Sequence, residues 1–357
     1  MAYSVDEKTI KRSTRKGYLS CVTLIFTGLI FVQVTGIALE HEVVYMDGYP
    51  YKRDSFGDEA DLDIGDIVEA GETVVTGSGD YLELEAEGYT VKINEDTVFE
   101  ILELEEQGQK RDVMSVALGK LSFSGSRLLG TEPRLKTSSA ICGVRGTKVV
   151  LLAGIDGSSM IIVEEGAVEI EAAGETVLLA TGEGVEVETG SAPGEKFKAL
   201  EREVDYSDWN KSKADAALAD PVGAVHKIES QLELYIFEIK KIYPLYLESK
   251  QLLEKERANV REVLEKKGKD EASKVYREMV FPLEQDLTFR YVNIRYYALS
   301  AFSLRRFVAS RLYMTLKAIY ITNRLDPIYL DFLDIHNRIL ETFDRDVAQS
   351  FIVLADI

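Results

Sequence analysis

The sequence predicts a multi-domain protein with one N-terminal hydrophobic helix, then an all-β domain, then an all-α domain. Three observations carry this prediction. An uncharged apolar stretch follows a basic N-terminus, hydrophobicity then alternates with a period of two, and the last part of the chain has apolar residues at three- and four-residue steps. The predicted segments are a basic tail at 1–16, a hydrophobic helix at 17–39, an all-β domain at 43–200, a linker at 201–226 and a helical domain at 227–357.

The first element is the uncharged stretch 17–39, which follows a cluster of lysines and arginines. Its length favours a membrane-spanning helix, whereas Gly36 and Ala38 are small residues at the spacing that a signal peptidase reads. Retention as an anchor and cleavage as a signal peptide remain alternatives. In both, the basic flank starts in the cytoplasm and the following chain is exported. We therefore expect an extracytoplasmic, periplasmic protein that is either anchored in the inner membrane or released.

The second element, 43–200, alternates apolar and acidic residues in short runs, for example at 81–86 and 167–171. This alternation is typical of strands with one buried face. Glycine, asparagine and aspartate turns recur at short intervals, which favours a sandwich-like or solenoid-like arrangement. Two continuous apolar runs flank Asp156 and Gly157, and they predict a hairpin of buried strands.

The net charge of −19 is concentrated in this second element. Residues 1–38 carry +3, residues 39–200 carry −20 and residues 201–357 carry −2. Because an acidic surface repels phosphate backbones, we expect no nucleic acid among the partners.

Short strings rich in glycine and threonine follow one another along the β region. They are found at 65–68, 71–77, 94–97, 118–121, 136–140, 144–147, 163–168 and 180–184. The set is similar to a FecR-like domain, the extracytoplasmic module of FecR-type regulators, over roughly residues 62–190. The resemblance implies an all-β fold and an extracytoplasmic compartment.

The resemblance has two departures. Family members that regulate iron uptake carry a cytoplasmic segment that contacts a sigma factor, and the tail at 1–16 is short for that role. Such regulators also tend to have a different C-terminal module that docks a receptor, whereas a helical region follows here. Transmembrane signalling of the FecR type is therefore kept as an alternative function.

Four residues are candidates for structural or partner contacts: Arg145, Gly146, Thr147 and Trp209. Gly146 permits a tight backbone turn, and the Arg145 guanidinium can bind a carboxylate in this acidic domain. Trp209 is the only tryptophan. It is expected to pack between the β region and the helices.

In the helical region, Ile228, Leu232 and Tyr235 begin a helical stripe. Pro244 is expected to end or kink that helix, while Asp326 followed by proline is a helix start. Aromatic residues interleave with arginines further along. The arginines are expected to pair with acidic residues, and the aromatic face is an alternative partner surface or a site of self-association through the helices.

The chain has three histidines, none near a cysteine or second histidine at ligand spacing, and no phosphate-binding glycine loop. We therefore predict no catalytic, cofactor-binding or metal-binding residues. The main prediction is a non-enzymatic, membrane-associated binding or sensing protein of a bacterial cell envelope, which recognises a protein or an envelope glycan. The alternatives are a carboxylate-dependent envelope hydrolase and a FecR-type transmembrane signalling regulator.

Overall fold

A strand-rich region precedes a helical region in the computed structural model, as the sequence predicts. The structure describes residues 40–54, 57–106, 109–126, 132–199 and 204–349. The predicted basic tail and hydrophobic helix lie outside these ranges. None of the helices in the described ranges is long and apolar enough to cross a membrane.

The strands of the first region form two sheets that share one strand. Their bounds are β1 His41–Asp47, β2 Tyr51–Arg53, β3 Glu59–Asp61, β4 Ile67–Val68, β5 Thr73–Val75, β6 Tyr81–Ala86, β7 Tyr89–Ile93, β8 Val98–Glu106, β9 Gln109–Gly125, β10 Arg134–Thr137, β11 Ile141–Val144, β12 Lys148–Ala153, β13 Ser159–Glu165, β14 Ala167–Ala172, β15 Glu175–Ala180, β16 Glu183–Val187 and β17 Phe197–Lys198.

The first sheet has the order β4-β1-β6-β7-β9-β12-β13-β16-β17. The second has the order β3-β2-β5-β8-β9-β10-β11-β14-β15. These pairs are antiparallel except β9 with β10, which is parallel. The predicted hairpin at Asp156 and Gly157 is confirmed by the pairing of β12 with β13.

Apolar residues of both sheets meet in one core, because alternate residues along each strand point inward. In β6, for example, Leu82 and Leu84 are buried while Glu85 is exposed. The second sheet contributes Ile101, Met114 and other residues to the same cluster. The sheets thus form two layers around a shared apolar interior.

Strand β9 crosses from one layer to the other at Gly119. Residues up to Leu118 pair with β8 in the second sheet, and Gly119 itself already pairs with β12 in the first. Gly119 has φ +106°, and a Cβ there would lie 2.5 Å from the Cα of Thr97. Glycine is therefore required at this crossing.

We expect Gly119→Ala to lower the free energy of unfolding by about 2 kcal/mol more than Gly174→Ala, because only the first adds a steric clash. Gly174 has φ +80° but has open space around its Cα, so it controls for backbone strain alone. Urea unfolding followed by circular dichroism measures both. Equal losses for the two variants would contradict the steric role of Thr97.

The helical region follows from Tyr206. Its helices are α1 Tyr206–Ala219, α2 Pro221–Lys267, α3 Lys269–Val275, α4 Phe281–Ser303, α5 Ser310–Ile319 and α6 Pro327–Phe343. Short π-helical segments occupy Tyr276–Val280, Leu304–Ala309 and Asp344–Ala348. Helices α2, α4, α5 and α6 share an apolar cluster that includes Ile239, Ile294, Leu316 and Phe332.

Two helix boundaries differ from the sequence-based expectation. The stretch 201–226, predicted as a linker, contains α1 and the start of α2, because Asp205 and Asp220 cap the two helices through their side chains. Helix α2 also continues through Pro244, where neighbouring Tyr246 is fully buried and anchors the following turn. The predicted start at Asp326 is confirmed, since its carboxylate accepts a hydrogen bond from the Ile328 amide at 3.0 Å.

Candidate functional site at the interface of sheets and helices

A polar row crosses the outer face of the second sheet beneath the helices. Glu100 of β8 pairs with Ser115 of β9, and Ser115 pairs with Lys136 of β10. Paired residues share a sheet face, and the neighbours Ile101 and Met114 point into the core, so the row points outward. Because serine is small, the side chains of Glu100 and Lys136 can approach each other above it.

Lys136 is the most enclosed charge of this row, with 2% of its surface exposed. Its ammonium lies 5.3 Å from the ring centroid of Tyr235 in α2 and 5.8 Å from that of Tyr296 in α4. Aromatic faces attract a cation at such distances. Burial lowers the pKa of Lys136 to about 8, and the negative charge of Glu100 opposes that shift.

Glu100 lies on the other side of Ser115, facing α4. Thr73 donates a long hydrogen bond of 3.5 Å to its Oε1 atom. Its Oε2 atom is shielded from solvent and has no hydrogen-bond partner among the described residues. Desolvation raises the pKa of Glu100, while Ser303, Lys136 and Arg306 oppose the shift.

The string 136–140, one of those that resemble FecR, binds helix α2 directly. The Tyr235 hydroxyl donates a hydrogen bond to the Ser138 carbonyl at 3.0 Å. One turn earlier in α2, Gln231 accepts a hydrogen bond from the Gly190 amide at 3.2 Å. The helix is therefore held by main-chain groups of the β region as well as by Lys136.

Apolar contacts extend the same interface on both sides of the polar row. Tyr296 packs against Leu102 and Val113, while Phe307 packs against Val98 and Leu118. The outer face of β8 and β9 is therefore a second buried face, covered by α4 and the π-helical segment Leu304–Ala309.

Trp209 packs α1 onto the first sheet. Its ring contacts Leu152 of β12 and Met160 of β13. Its indole N–H donates a hydrogen bond to Glu186 at 3.2 Å, and the ammonium of Lys213 lies 5.7 Å from the ring centroid. The ring has 6% of its surface exposed, so a partner cannot bind it without displacing α1.

Arg145, Gly146 and Thr147 form the turn between β11 and β12. Arg145 is exposed, Gly146 has φ +59° and Thr147 is buried. The carbonyl of Thr147 accepts a hydrogen bond from the Gly125 amide at 3.0 Å. These contacts fix the turn, and Arg145 remains accessible.

The structure does not bring this turn and Trp209 together. The turn precedes β12, whereas Trp209 lies against Gly154, immediately after that strand. The six residues of β12 separate them by about 20 Å at the usual rise of a strand. The sequence patterns assigned no site role to Glu100, Tyr235 or Tyr296. Strands β8 and β10 carry further charged residues, such as Glu103 and Arg134, so no local signal distinguished Glu100 or Lys136.

A second buried polar cluster joins β1, β7 and β9. The Nε2 atom of His41 lies 2.8 Å from the Tyr89 hydroxyl and 3.6 Å from an Asp112 carboxylate oxygen. Burial lowers the pKa of His41 to about 4, so the ring is neutral at pH 7. Burial, followed by the charge of Glu103, raises the pKa of Asp112 to about 6.

These two shifts act on stability with opposite signs. The folded protein binds fewer protons at His41 than the unfolded chain does. The stability that neutral His41 contributes is therefore lost as pH falls from 6.5 towards 4. At Asp112, the folded protein binds more protons than the unfolded chain does. The stability that protonated Asp112 contributes is therefore lost as pH rises from 3.8 through 6. The two contributions therefore offset each other between pH 4 and 6.

We expect Asp112→Asn to uncover the His41 contribution. The unfolding free energy of the variant should rise with pH between 4 and 6 by up to about 1.4 kcal/mol per pH unit more than that of the parent. Urea unfolding at several pH values measures this slope. Asp61→Asn, at an exposed position of β3, should leave the slope unchanged. Parallel profiles for Asp112→Asn and the parent would contradict the assignment.

In the part of the chain that the structure describes, no group of three histidine, cysteine or acidic side chains is placed to hold a metal ion. Residues 72–169 match the family model described as FecR protein. This region is a FecR domain. It runs from the residue before β5 into β14, so Glu100, Ser115 and Lys136 lie inside it. The helices that cover this polar row lie outside the match.

Two solved structures are similar to part of the chain. Both are crystal structures of a protein from Parabacteroides distasonis ATCC 8503, provisionally described as an anti-sigma factor. The first is 17% identical with a TM-score of 0.31, and the match covers 35% of this chain and 59% of that one. The second is 18% identical with a TM-score of 0.30, and the match covers 44% of this chain and 73% of that one. No curated protein matches the sequence.

Proposed function

We propose that this chain is a non-enzymatic signalling regulator of the FecR type, whose β–α unit lies outside the cytoplasmic membrane. The observation that carries the proposal is the FecR domain at residues 72–169. The similarity implies that this domain is the extracytoplasmic module of a FecR-type regulator. The proposed function is thus the regulator alternative, and it takes precedence over the main prediction of a binding or sensing protein that recognises a protein or an envelope glycan.

The charge pattern of the N-terminus supports the proposed location. The basic tail at 1–16 and the uncharged stretch 17–39 are those of a segment that keeps its basic flank in the cytoplasm. In this proposal the segment stays uncleaved, and the tail contacts a cytoplasmic protein partner. Self-association through the helices remains a prediction.

The interface between the FecR domain and the helices supports a role in signalling. A charged lysine held between two tyrosine rings stabilises one arrangement of the sheets and helices, and it would be lost if they separated. A partner that changes this arrangement would therefore have a discrete element to act on.

The test is a deletion of the gene in its native bacterium, followed by transcript profiling and by complementation with three forms. We expect the deletion to change a limited set of transcripts and the full chain to restore them. A chain whose residues 1–16 are replaced by an unrelated sequence of equal length and charge keeps the membrane orientation but should fail to restore them.

The third form, Arg261→Gln, changes an exposed residue of α2 and should restore the transcripts fully. An unchanged transcript profile in the deletion strain would contradict the regulatory function. Full restoration by the chain with the replaced tail would contradict signalling through that segment.

A further inference from the structure

A cavity of about 390 Å³ lies between the second sheet and the end of α4. Glu100 and Leu102 line it from the sheet, and Leu299, Phe302 and Arg306 line it from the helical side. Its volume falls in the range of pockets that hold small molecules. Nothing in the proposed regulatory function requires a cavity at this position.

The sheet side of the cavity offers an unsatisfied hydrogen-bond acceptor. The Oε2 atom of Glu100 is shielded from solvent and accepts no hydrogen bond of ordinary geometry among the described residues, although the Ser303 hydroxyl and the charges of Lys136 and Arg306 act on the same carboxyl group. An unpaired buried carboxylate oxygen is costly, about 1–3 kcal/mol or more. A ligand that donates a hydrogen bond there would remove that cost.

The helical side offers two cations. The Arg305 guanidinium lies 4.7 Å from the ring centroid of Phe343, and that of Arg306 lies 5.3 Å from the ring centroid of Phe307. Within the described ranges, neither arginine forms an ion pair within 4.0 Å. A guanidinium that stacks on a ring still presents N–H groups at its edge, and these suit a carboxylate.

Both arginines lie in the π-helical segment Leu304–Ala309. Such segments are rare and are frequent at functional sites. Both arginines line the cavity. The lining of the cavity therefore includes the carboxyl groups of Glu100 and Asp54, two arginines and apolar side chains such as Leu299 and Phe302.

We infer that this cavity binds a small zwitterion of the amino acid or short peptide class. Its amino group donates to Glu100, and its carboxylate binds Arg305 and Arg306. Its apolar side chain packs against Leu299 and Phe302. This binding goes beyond the regulatory function and does not depend on it.

The test is isothermal titration of the full chain, purified in detergent, with L-leucine and with L-leucyl-L-leucine. We expect saturable binding of at least one of these probes, and the tighter one distinguishes a free amino acid from a peptide. Two leucine analogues each lack one charged group: 4-methylpentanoate has no amino group and 3-methylbutylamine has no carboxylate. Both should bind at least about tenfold more weakly than leucine, because each loses a charge-assisted hydrogen bond.

Glu100→Gln and Arg306→Gln should each weaken binding of the tighter probe by about tenfold or more. Arg306 is exposed, so its variant is expected to fold even if the Glu100 variant does not. Arg261→Gln, far from the cavity on α2, is the matched control and should bind as the parent does. Absence of saturable binding of both probes, or equal binding by Arg306→Gln and Arg261→Gln, would overturn the site. If either analogue bound as tightly as leucine, the proposal that the ligand is a zwitterion would be wrong.

Discussion

Replacing Lys136 with methionine is expected to lower the free energy of unfolding by about 3 kcal/mol, because it removes one of the two cations that favour the charged form of the desolvated Glu100 carboxyl group. Methionine keeps much of the apolar length of the side chain, so lost packing contributes little. The ammonium also loses its contacts with Tyr235 and Tyr296. Urea unfolding at neutral pH, monitored by far-ultraviolet circular dichroism, measures the change.

The double variant Lys136→Met and Glu100→Gln separates the two sources of this loss. If most of the loss comes from the charge left on Glu100, the Glu100→Gln change should restore at least about 1 kcal/mol of the free energy of unfolding of the Lys136→Met variant. The effects of the two single changes will then not be additive. Lys148→Met provides a control, since Lys148 forms an exposed ion pair with Glu165 at 2.6 Å and such pairs contribute little. A loss at Lys136 no larger than that at Lys148 would contradict the importance of the buried charge.

Trp209→Ala is expected to lower the free energy of unfolding by about 3–4 kcal/mol, through the cavity that it leaves between α1 and the first sheet. The indole covers Leu152 and Met160, which would then face solvent or an empty space. Chemical unfolding followed by circular dichroism measures the loss. Limited proteolysis should also detect earlier cleavage near α1 if the helix detaches.

Trp209→Phe is the matched variant for this position. It keeps an aromatic ring against Leu152 but removes the N–H group that binds Glu186. Trp209→Phe should lower the free energy of unfolding by about 1 kcal/mol beyond the loss caused by the smaller ring, as expected for one lost hydrogen bond. If alanine and phenylalanine gave equal losses, packing would not be the reason for the burial of Trp209.

Local patterns predicted the strands well, because their periodicity reflects one buried face. The alternation at 81–86 and the turn at Asp156 and Gly157 both correspond to observed strands and pairing. The apolar run 159–163 predicted burial on both faces of β13. The sequence did not show what covers the outer face, since the contact of Met160 with Trp209 joins residues far apart in the chain.

The polar row was not predictable for the same reason. Glu100 and Lys136 are separated by 36 positions, and only the register of β8, β9 and β10 places them in one row. An acidic residue in an alternating strand is usually solvated. The helices that desolvate Glu100 and Lys136 come much later in the chain, so sequence patterns alone do not distinguish these charges from surface ones.

The passage of β9 through both layers has a consequence for how the β region opens. A strand that supplies the middle of two sheets cannot leave one of them without weakening the other, so partial unfolding of a single layer is disfavoured. The amides of β9 on both sides of Gly119 should therefore exchange with solvent deuterium at similar, slow rates, as members of one cooperative unit. Outer strands such as β3 and β17 can fray without opening that unit.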